Sequence, residues 1–231
     1  MAVTAVLPTF KRPSETKRAI ESVNSQSYKN IDIIIVDSTP GNTIENIAKE
    51  FDSGWLTYIH SPNSNPSQAR NIGIKNADGD YVAFLDSDDY WEENKIRRQV
   101  ELLSQSGTNT VGCFCAFRNE SGRVFQSNPT ENLQTDLYNG NVHVPTSVLM
   151  VSRHALNEIG GFDEEIPSSE DWDLCLRLST KYHLKYISEP LVVKHRSEDS
   201  ISYEPNRMEA TYEYLTQKYD LPDSAKSYFS Y

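Results

Sequence analysis

Gly79-Asp80-Tyr81-Val82-Ala83-Phe84-Leu85-Asp86-Ser87-Asp88-Asp89 is the stretch that decides the fold. A Gly-Asp turn opens an apolar run that stops at three carboxylates, the pattern of a buried parallel strand with acids held out at its carboxyl end. Open α/β sheets bind ligands at that end. Asp86 and Asp88 oppose each other's ionisation unless a cation neutralises them. Their hard oxygen donors suit magnesium or manganese, ions that share their coordination sphere with substrate phosphates and water. Taken alone, Asp-Ser-Asp reads equally well as a solvated acidic turn, so the flanking segments have to decide.

Upstream, Ala2 to Leu7 reads as a first strand closed by Pro8-Thr9-Phe10, and Pro13 suits a first helical position with Ala19, Ile20 and Val23 on one apolar face. Ile31 to Asp37 is nearly continuous and β-branched, as a central strand covered on both faces would be, and it too ends in an acid. Asn42 is a cap for a helix with Ile44, Ile47, Ala48 and Phe51 facing the core. Leu56 to His60 is a third strand, and the helix from Ser64 to Ala77 carries Arg70 and Asn71 near the ligand end. This alternation predicts an α/β fold with a Rossmann-like, mostly parallel central sheet flanked by helices. Right-handed crossovers then place Thr9, Asp37 and Asp86 on one rim.

Downstream the pattern changes to a smaller mixed or antiparallel part. Asn94 to Ser104 is a helix, Thr110 to Phe117 and Arg123 to Gln126 form a hairpin, and Asn128 to Gly140 reads as a mobile loop. Val142 to Ser152 returns as a strand before a short helix at His154 to Ile159. Glu170-Asp171-Trp172-Asp173 opens another helix behind Ser168 or Ser169. Acids in a first turn gain a few tenths to about 1 kcal/mol from the helix dipole, so capping alone can account for Glu170 and Asp171. Leu184 to Ile187 and Leu191 to His195 are final strands, and Asn206 to Tyr219 is a tyrosine-rich helix.

The 231 residues include 22 basic and 33 acidic side chains, a formal charge of −11, which argues against a broad nucleic-acid-binding surface. The length suits one large α/β domain, and no linker divides it. Cys113, Cys115 and Cys175 have neither Cys-x-x-Cys nor Cys/His spacing, so buried, reduced thiols are expected rather than a zinc site. Met1 to Pro8 has no basic flank and is too short for a signal peptide. No stretch reaches the roughly 18 apolar residues of a membrane span. A soluble, cytoplasmic protein is expected, one that could still work at the inner face of a membrane.

In order and spacing the chain resembles glycosyltransferase family 2, the large inverting family with a nucleotide-sugar-binding GT-A fold. The resemblance is carried by Val6-Leu7-Pro8-Thr9-Phe10, Ile34-Ile35-Val36-Asp37-Ser38, Gln68-Ala69-Arg70-Asn71-Ile72-Gly73-Ile74, the 79–89 stretch, and Gly160-Gly161-Phe162-Asp163-Glu164 with Ser169-Glu170-Asp171-Trp172-Asp173-Leu174. It implies a single GT-A domain over 1–203, with a nucleotide-sugar-binding half at 1–104 and an acceptor half at 105–203, followed by a helical extension at 204–231. Pro8, Thr9 and Phe10 match the turn that lies along the nucleoside, Asp37 the acid that bonds the base, and Arg70 a polar contact to the nucleotide. Asp86, Ser87 and Asp88 match the Asp-x-Asp motif, its first acid near the ribose and Asp88 the ligand of a divalent metal, Mn or Mg. Asp171 matches the general base, with Glu170 beside it. His195 matches a place where some relatives supply another metal or diphosphate ligand, although a lone histidine there is also a common structural residue.

The resemblance thus implies inverting transfer from a nucleotide-diphosphate sugar, UDP-sugar favoured, to the hydroxyl of a glycan or lipid-linked acceptor. Relatives often carry Asp-Asp-Gly-Ser after the second strand, whereas Ser38-Thr39-Pro40-Gly41 follows Asp37 here, which leaves the base open. Trp91 and Trp172, each behind an acidic motif, can stack on a sugar face or pack a core. Two alternatives stand beside this reading: a nucleotide-sugar-binding module without transfer, and a nucleotidyltransferase. The latter would usually show a glycine-rich basic loop near the first strand, and Pro8-Thr9-Phe10-Lys11-Arg12-Pro13 has no glycine.

Overall fold

The computed structural model describes residues 1–51, 54–195 and 205–229. The boundary expected at 203/204 lies outside the described residues. The first half runs β1 (Val3–Thr9), α1 (Pro13–Asn24), β2 (Ile31–Asp37), α2 (Thr43–Glu50), β3 (Leu56–His60), α3 (Pro66–Asn76) and β4 (Tyr81–Phe84). The chain continues through β5 (Tyr90–Trp91), α4 (Lys95–Ser104), β6 (Thr110–Asn119), β7 (Val124–Phe125), α5 (Leu133–Tyr138), β8 (Met150–Ser152), α6 (Arg153–Ile159), α7 (Glu170–Ser179), β9 (His183–Lys194) and α8 (Pro205–Tyr219). Among the described residues one sheet holds all the strands in the order β3-β2-β1-β4-β8-β6-β9-β5, with β7 pairing on β6. The strands β3, β2, β1 and β4 are parallel, β8 reverses against β4, and β6 reverses again against β8.

Register places the ligand end. Thr9 pairs with Asp37 and Asp37 with His60, while Val6 pairs with Phe84, so Asp86 follows two residues beyond its strand on the same rim. β1 and β2 are covered on both faces: Ala5, Val6, Leu7, Ile33, Ile35 and Val36 are all fully buried. Long apolar runs are what such double coverage demands. α3 begins with a complete capping box, Asn65 accepting from the Gln68 amide and the Gln68 side chain accepting from the Asn65 amide, and this fixes where Arg70 falls on the helix.

The second half departs from the sequence reading in three places. The strand expected over Val142 to Ser152 is confined to Met150–Ser152, because Pro145 has no N–H for a ladder and Thr146–Val148 turns as a short 3-10 segment. The loop expected at Asn128 to Gly140 contains α5, capped by the Asn132 side chain on the Thr135 amide. The two final strands are one, β9, interrupted where Ile187 faces Cys115 and Pro190 faces Ala116, a bulge that accommodates the proline. α8 and the segment after it pack onto α7, where Trp172 meets the rings of Tyr219 and Phe229 edge-on at centroid distances of 6.1 and 5.6 Å.

Gly73 is where α3 touches β1. A Cβ there would sit 2.3 Å from Val6 Cγ1 and 2.9 Å from Cγ2. Gly73→Ala is therefore expected to destabilise by about 1–3 kcal/mol through overpacking, which exceeds the ~0.5–1 kcal/mol that alanine gains over glycine in a helix. Urea unfolding should also show that Val6→Ala costs less in the Gly73→Ala background than in the parent chain. Additive costs would sever that contact from the fold's stability.

Candidate active site

The acids after β4 form a tight turn, with the Asp89 amide bonded to the Asp86 carbonyl at 3.0 Å. Asp86 accepts from Arg70 at 2.7 Å, and Lys194 Nζ lies 3.9 Å away. Burial opposes its charge, but Arg70 and Lys194 outweigh that and hold its carboxyl below the usual range. Asp88 pairs with Arg12 through its carboxylate, and its carbonyl accepts from Arg18 at 2.7 Å. Asp89 is fully buried and accepts from Ser147 Oγ and Lys194 at 2.6 Å each, and from the His195 amide at 3.1 Å. Burial, with Asp86 and Asp88 adding to it against the pull of Lys194, pushes Asp89 up to about 6. Asp89 thus anchors the turn to the end of β9.

Arg70 joins this turn to the other half of the chain. Its second terminal nitrogen reaches Glu170 at 2.5 Å, so one guanidinium spans Asp86 and Glu170. Asp171 follows at the start of α7 and accepts from the Trp172 amide at 2.8 Å and from the Thr146 amide at 3.0 Å. Burial and the charge of Glu170 raise Asp171 to about 7, against the opposing pull of Arg70 and the Trp172 amide. Ser169, just before these acids, has φ +59°, and Lys11, just before Arg12, has φ +53°. Left-handed backbone at non-glycine residues is costly and gathers at functional sites. Of the four such residues among the described ones, Lys11 and Ser169 adjoin the acid cluster, and Asn63 and Asp220 are the other two.

The remaining expected residues divide between rim and interior. Asp37 is buried and accepts from the Thr39 amide and the Tyr58 hydroxyl, both at 2.8 Å. Thr39 in turn accepts from the Lys11 amide, which links the Asp37 corner to the Arg12–Asp88 pair. Thr9 and Ser87 are buried, Pro8 is half-buried, and the Phe10 ring is 53% exposed beside them. His195 Nδ1 lies 2.7 Å from Glu120 Oε2, and the imidazole holds Glu120 below the usual carboxylate range.

Trp91 and Trp172 correct the expectation of sugar contacts. Trp91 is 3% exposed, donates to the Ser147 carbonyl at 3.1 Å and lies under Lys95 Nζ, 4.1 Å from its ring. Trp172 is 1% exposed and donates to the Leu137 carbonyl at 3.0 Å. Buried indoles with satisfied N–H groups are core residues. Conversely, Arg12, Arg18, Lys194, Thr146 and Ser147 belong to the site without having been expected there. Lys194 could have been found as a cation beside His195. Nothing in the sequence around Thr146 and Ser147 marks them.

Asp86 and Asp88 supply the hard oxygen donors that a divalent cation shared with phosphate and water would use. Asp86, Asp88, Asp89, Glu170 and Asp171 gather in one region, where Arg12 pairs with Asp88, Arg70 with Asp86 and Glu170, and Lys194 with Asp89. Among the described residues no group of three or more His, Cys, Asp or Glu side chains is placed to hold a metal ion. An ion that takes one or two carboxylates and completes its shell with phosphate and water needs no such group.

The curled, mostly parallel sheet with its acidic rim is the GT-A architecture. S. aureus TarS residues 1–349, in complex with UDP-GlcNAc, superposes with a TM-score of 0.77 at 18% identity, covering 99% of this chain and 69% of that one. Mannosyltransferase PcManGT from Pyrobaculum calidifontis, in complex with GDP-Man and Mn2+, gives 0.69 at 15% identity, covering 98% and 67%. Residues 4–160 match Glycosyl transferase family 2, and the chain belongs to that family. The amylovoran biosynthesis glycosyltransferase AmsB of Erwinia amylovora is 28% identical over 212 residues, 84% of this chain and 70% of AmsB. An uncharacterized glycosyltransferase of Rickettsia bellii is 28% identical over 219 residues, and the chain spans only 30% of its length.

Arg70→Met would leave Asp86 and Glu170 facing each other without their shared cation. Removing one partner of a buried ion pair costs about 3–5 kcal/mol, and a loss of that order is expected in urea unfolding at pH 7. The orphaned carboxylates would have folded pKa values above their unfolded ones, so the folded state would take up protons first. The deficit should therefore shrink between pH 7 and pH 5. A deficit that grows on acidification would contradict this account of the pair.

Proposed function

We propose that the chain transfers a sugar from a nucleotide-diphosphate donor to an acceptor hydroxyl with inversion at the anomeric carbon. One observation carries this reading: Arg70 ties Asp86 at the donor rim to Glu170 at the head of α7, beside Asp171. In this reading residues 1–104 bind the donor and 105–203 the acceptor. The Pro8-Thr9-Phe10 turn lies along the nucleoside, Asp37 accepts from the base, and Arg70 and Asp86 hold the ribose side. The donors in the complexes of TarS and PcManGT, UDP-GlcNAc and GDP-Man, support this donor class, and we favour a UDP-sugar.

Asp88, with His195 just past the end of β9, would hold a manganese or magnesium ion. That ion, when bound, neutralises charge developing on the departing diphosphate. Asp171 takes the proton of the acceptor hydroxyl as its oxygen bonds to the anomeric carbon. The bond from that carbon to the diphosphate oxygen breaks on the opposite face, which inverts the centre. The elevated proton affinity of Asp171 suits the task, because a base works best with a pKa near the working pH. A glycan or a lipid-linked hydroxyl is the expected acceptor. No helix among the described residues is long and apolar enough to cross a membrane, and access to a lipid-linked acceptor would come from work at the inner membrane face.

Asp171→Asn should lower kcat by about 10²- to 10⁴-fold, the usual worth of general-base catalysis, while calorimetry finds nucleoside diphosphate binding unchanged. Asp88→Asn, or a chelator, should weaken binding and turnover together. Because Asp171 acts only when ionised, kcat/KM should fall as pH drops below about 7. Full turnover by Asp171→Asn would remove the base assignment, and diphosphate binding indifferent to chelator would remove the metal from Asp88.

A further inference from the structure

Asp171 is held from outside its own helix as well as within it. Both the Thr146 amide, at 3.0 Å, and Thr146 Oγ1, at 3.3 Å, donate to Asp171 Oδ2. Oδ1 accepts only the Trp172 amide among the hydrogen bonds of this carboxylate in the described residues. Thr146 is 2% exposed and opens the short turn behind Pro145, whose φ of −59° fixes the direction of entry. The next residue, Ser147, accepts from the Asp86 amide at 3.0 Å and donates to Asp89. Two consecutive side chains therefore grip the acids of both halves, Thr146 holding Asp171 and Ser147 holding the turn at Asp86 and Asp89.

We propose that Thr146 is the positioning residue for Asp171, its amide and hydroxyl together occupying Oδ2 so that the proton of the acceptor hydroxyl passes to Oδ1. Each carboxylate oxygen offers two lone pairs. Two donors fill those of Oδ2, whereas Oδ1 keeps one lone pair open. The inference rests on the general-base reading given above. A hydroxyl that donates to an ionised carboxylate also favours the ionised form, so Thr146 opposes the groups that raise Asp171. Those facing it are Glu170 and Cys175 on α7, Asp86 beyond β4, and Arg70 on α3; Glu170 and Asp86 act with burial to raise it and Arg70 acts against them.

Thr146→Val keeps the branched shape and the main-chain donor and removes only the hydroxyl. The carboxyl carbon-13 resonance of Asp171, assigned by its loss in Asp171→Asn, reports the titration in the free chain without any substrate. Thr146→Val should raise its midpoint by about 0.5–1 pH unit, the size expected when one net hydrogen bond to the ionised form is lost. Thr146→Ser, which restores a hydroxyl, should return it to the wild-type value. Once a donor sugar is in hand, the acid limb of kcat/KM should move upward by the same amount in Thr146→Val. Should valine not be tolerated, Thr146→Ala removes the same donor without adding a methyl group next to the carboxylate, and the same rise is expected. An unchanged midpoint in a folded Val or Ala variant, or a Ser variant that behaves like Val, overturns the proposal. Asp171→Asn separates the two ideas: turnover retained there defeats the base reading, whereas turnover lost with an unmoved Thr146→Val midpoint defeats only the role of Thr146.

Discussion

One buried guanidinium holds the two halves of the chain in register at the acid cluster. Arg70 presents its terminal nitrogens to Asp86 and Glu170, carboxylates 84 positions apart, at 2.7 and 2.5 Å. A lysine could supply the charge but not the geometry, because an ammonium is a point donor and a guanidinium is a planar fork with fixed angles. The side chain of Arg70 is only 6% exposed, so the pair sits where desolvation is costly and where a lost partner is not replaced by water. Such a contact is weak evidence for stability and strong evidence for position. The capping box at Asn65 and Gln68 sets the start of α3, and Gly73 seats the helix on β1, so the guanidinium is delivered by a rigid element.

Several carboxylates crowd around that fork. Burial works against the charge of Asp86, Asp89 and Asp171, and their neighbours decide which of them stays charged. Asp86, between Arg70 and Lys194, is held ionised. Asp89 has Lys194 but also two acidic neighbours, and Asp171 has Glu170 at its side, so both are raised. Environments that push neighbouring acids apart in this way let one set bind while another exchanges protons near neutrality.

Residues of and around α8 brace the head of α7. Asp173, one residue past Trp172, is fully buried and bound by Arg177, Lys218 and the Tyr219 hydroxyl at 2.8, 2.8 and 2.5 Å. Ser168 meets Thr211 at 2.7 Å on the other side of the turn at Ser169. These contacts hold the first turn of α7 from both directions. The left-handed conformation of Ser169 is thereby maintained by its surroundings, as a strained residue requires.

How much of this could be read from the chain alone follows from what each signal depends on. Apolar runs ending in acids report strand position directly, so the parallel half and its rim at Thr9, Asp37 and Asp86 were legible, as were Glu170 and Asp171 at a helix start. The period of hydrophobicity says nothing about a turn that borrows side-chain partners, and this is why Thr146–Val148 reads as strand and α5 as loop in the sequence. Trp91 and Trp172 were ambiguous because an indole serves a sugar or a core equally well, and only the carbonyls of Ser147 and Leu137 decide between them. The partners that answer the acids come from remote segments: Arg12 before α1, Lys194 at the end of β9, and the hydroxyls of Thr146 and Ser147. A carboxylate announces itself in sequence because it interrupts an apolar pattern, whereas the group that neutralises or orients it need interrupt nothing. Sites built on buried acids are thus half visible before the fold is known, and the hidden half is the one that sets their proton affinities.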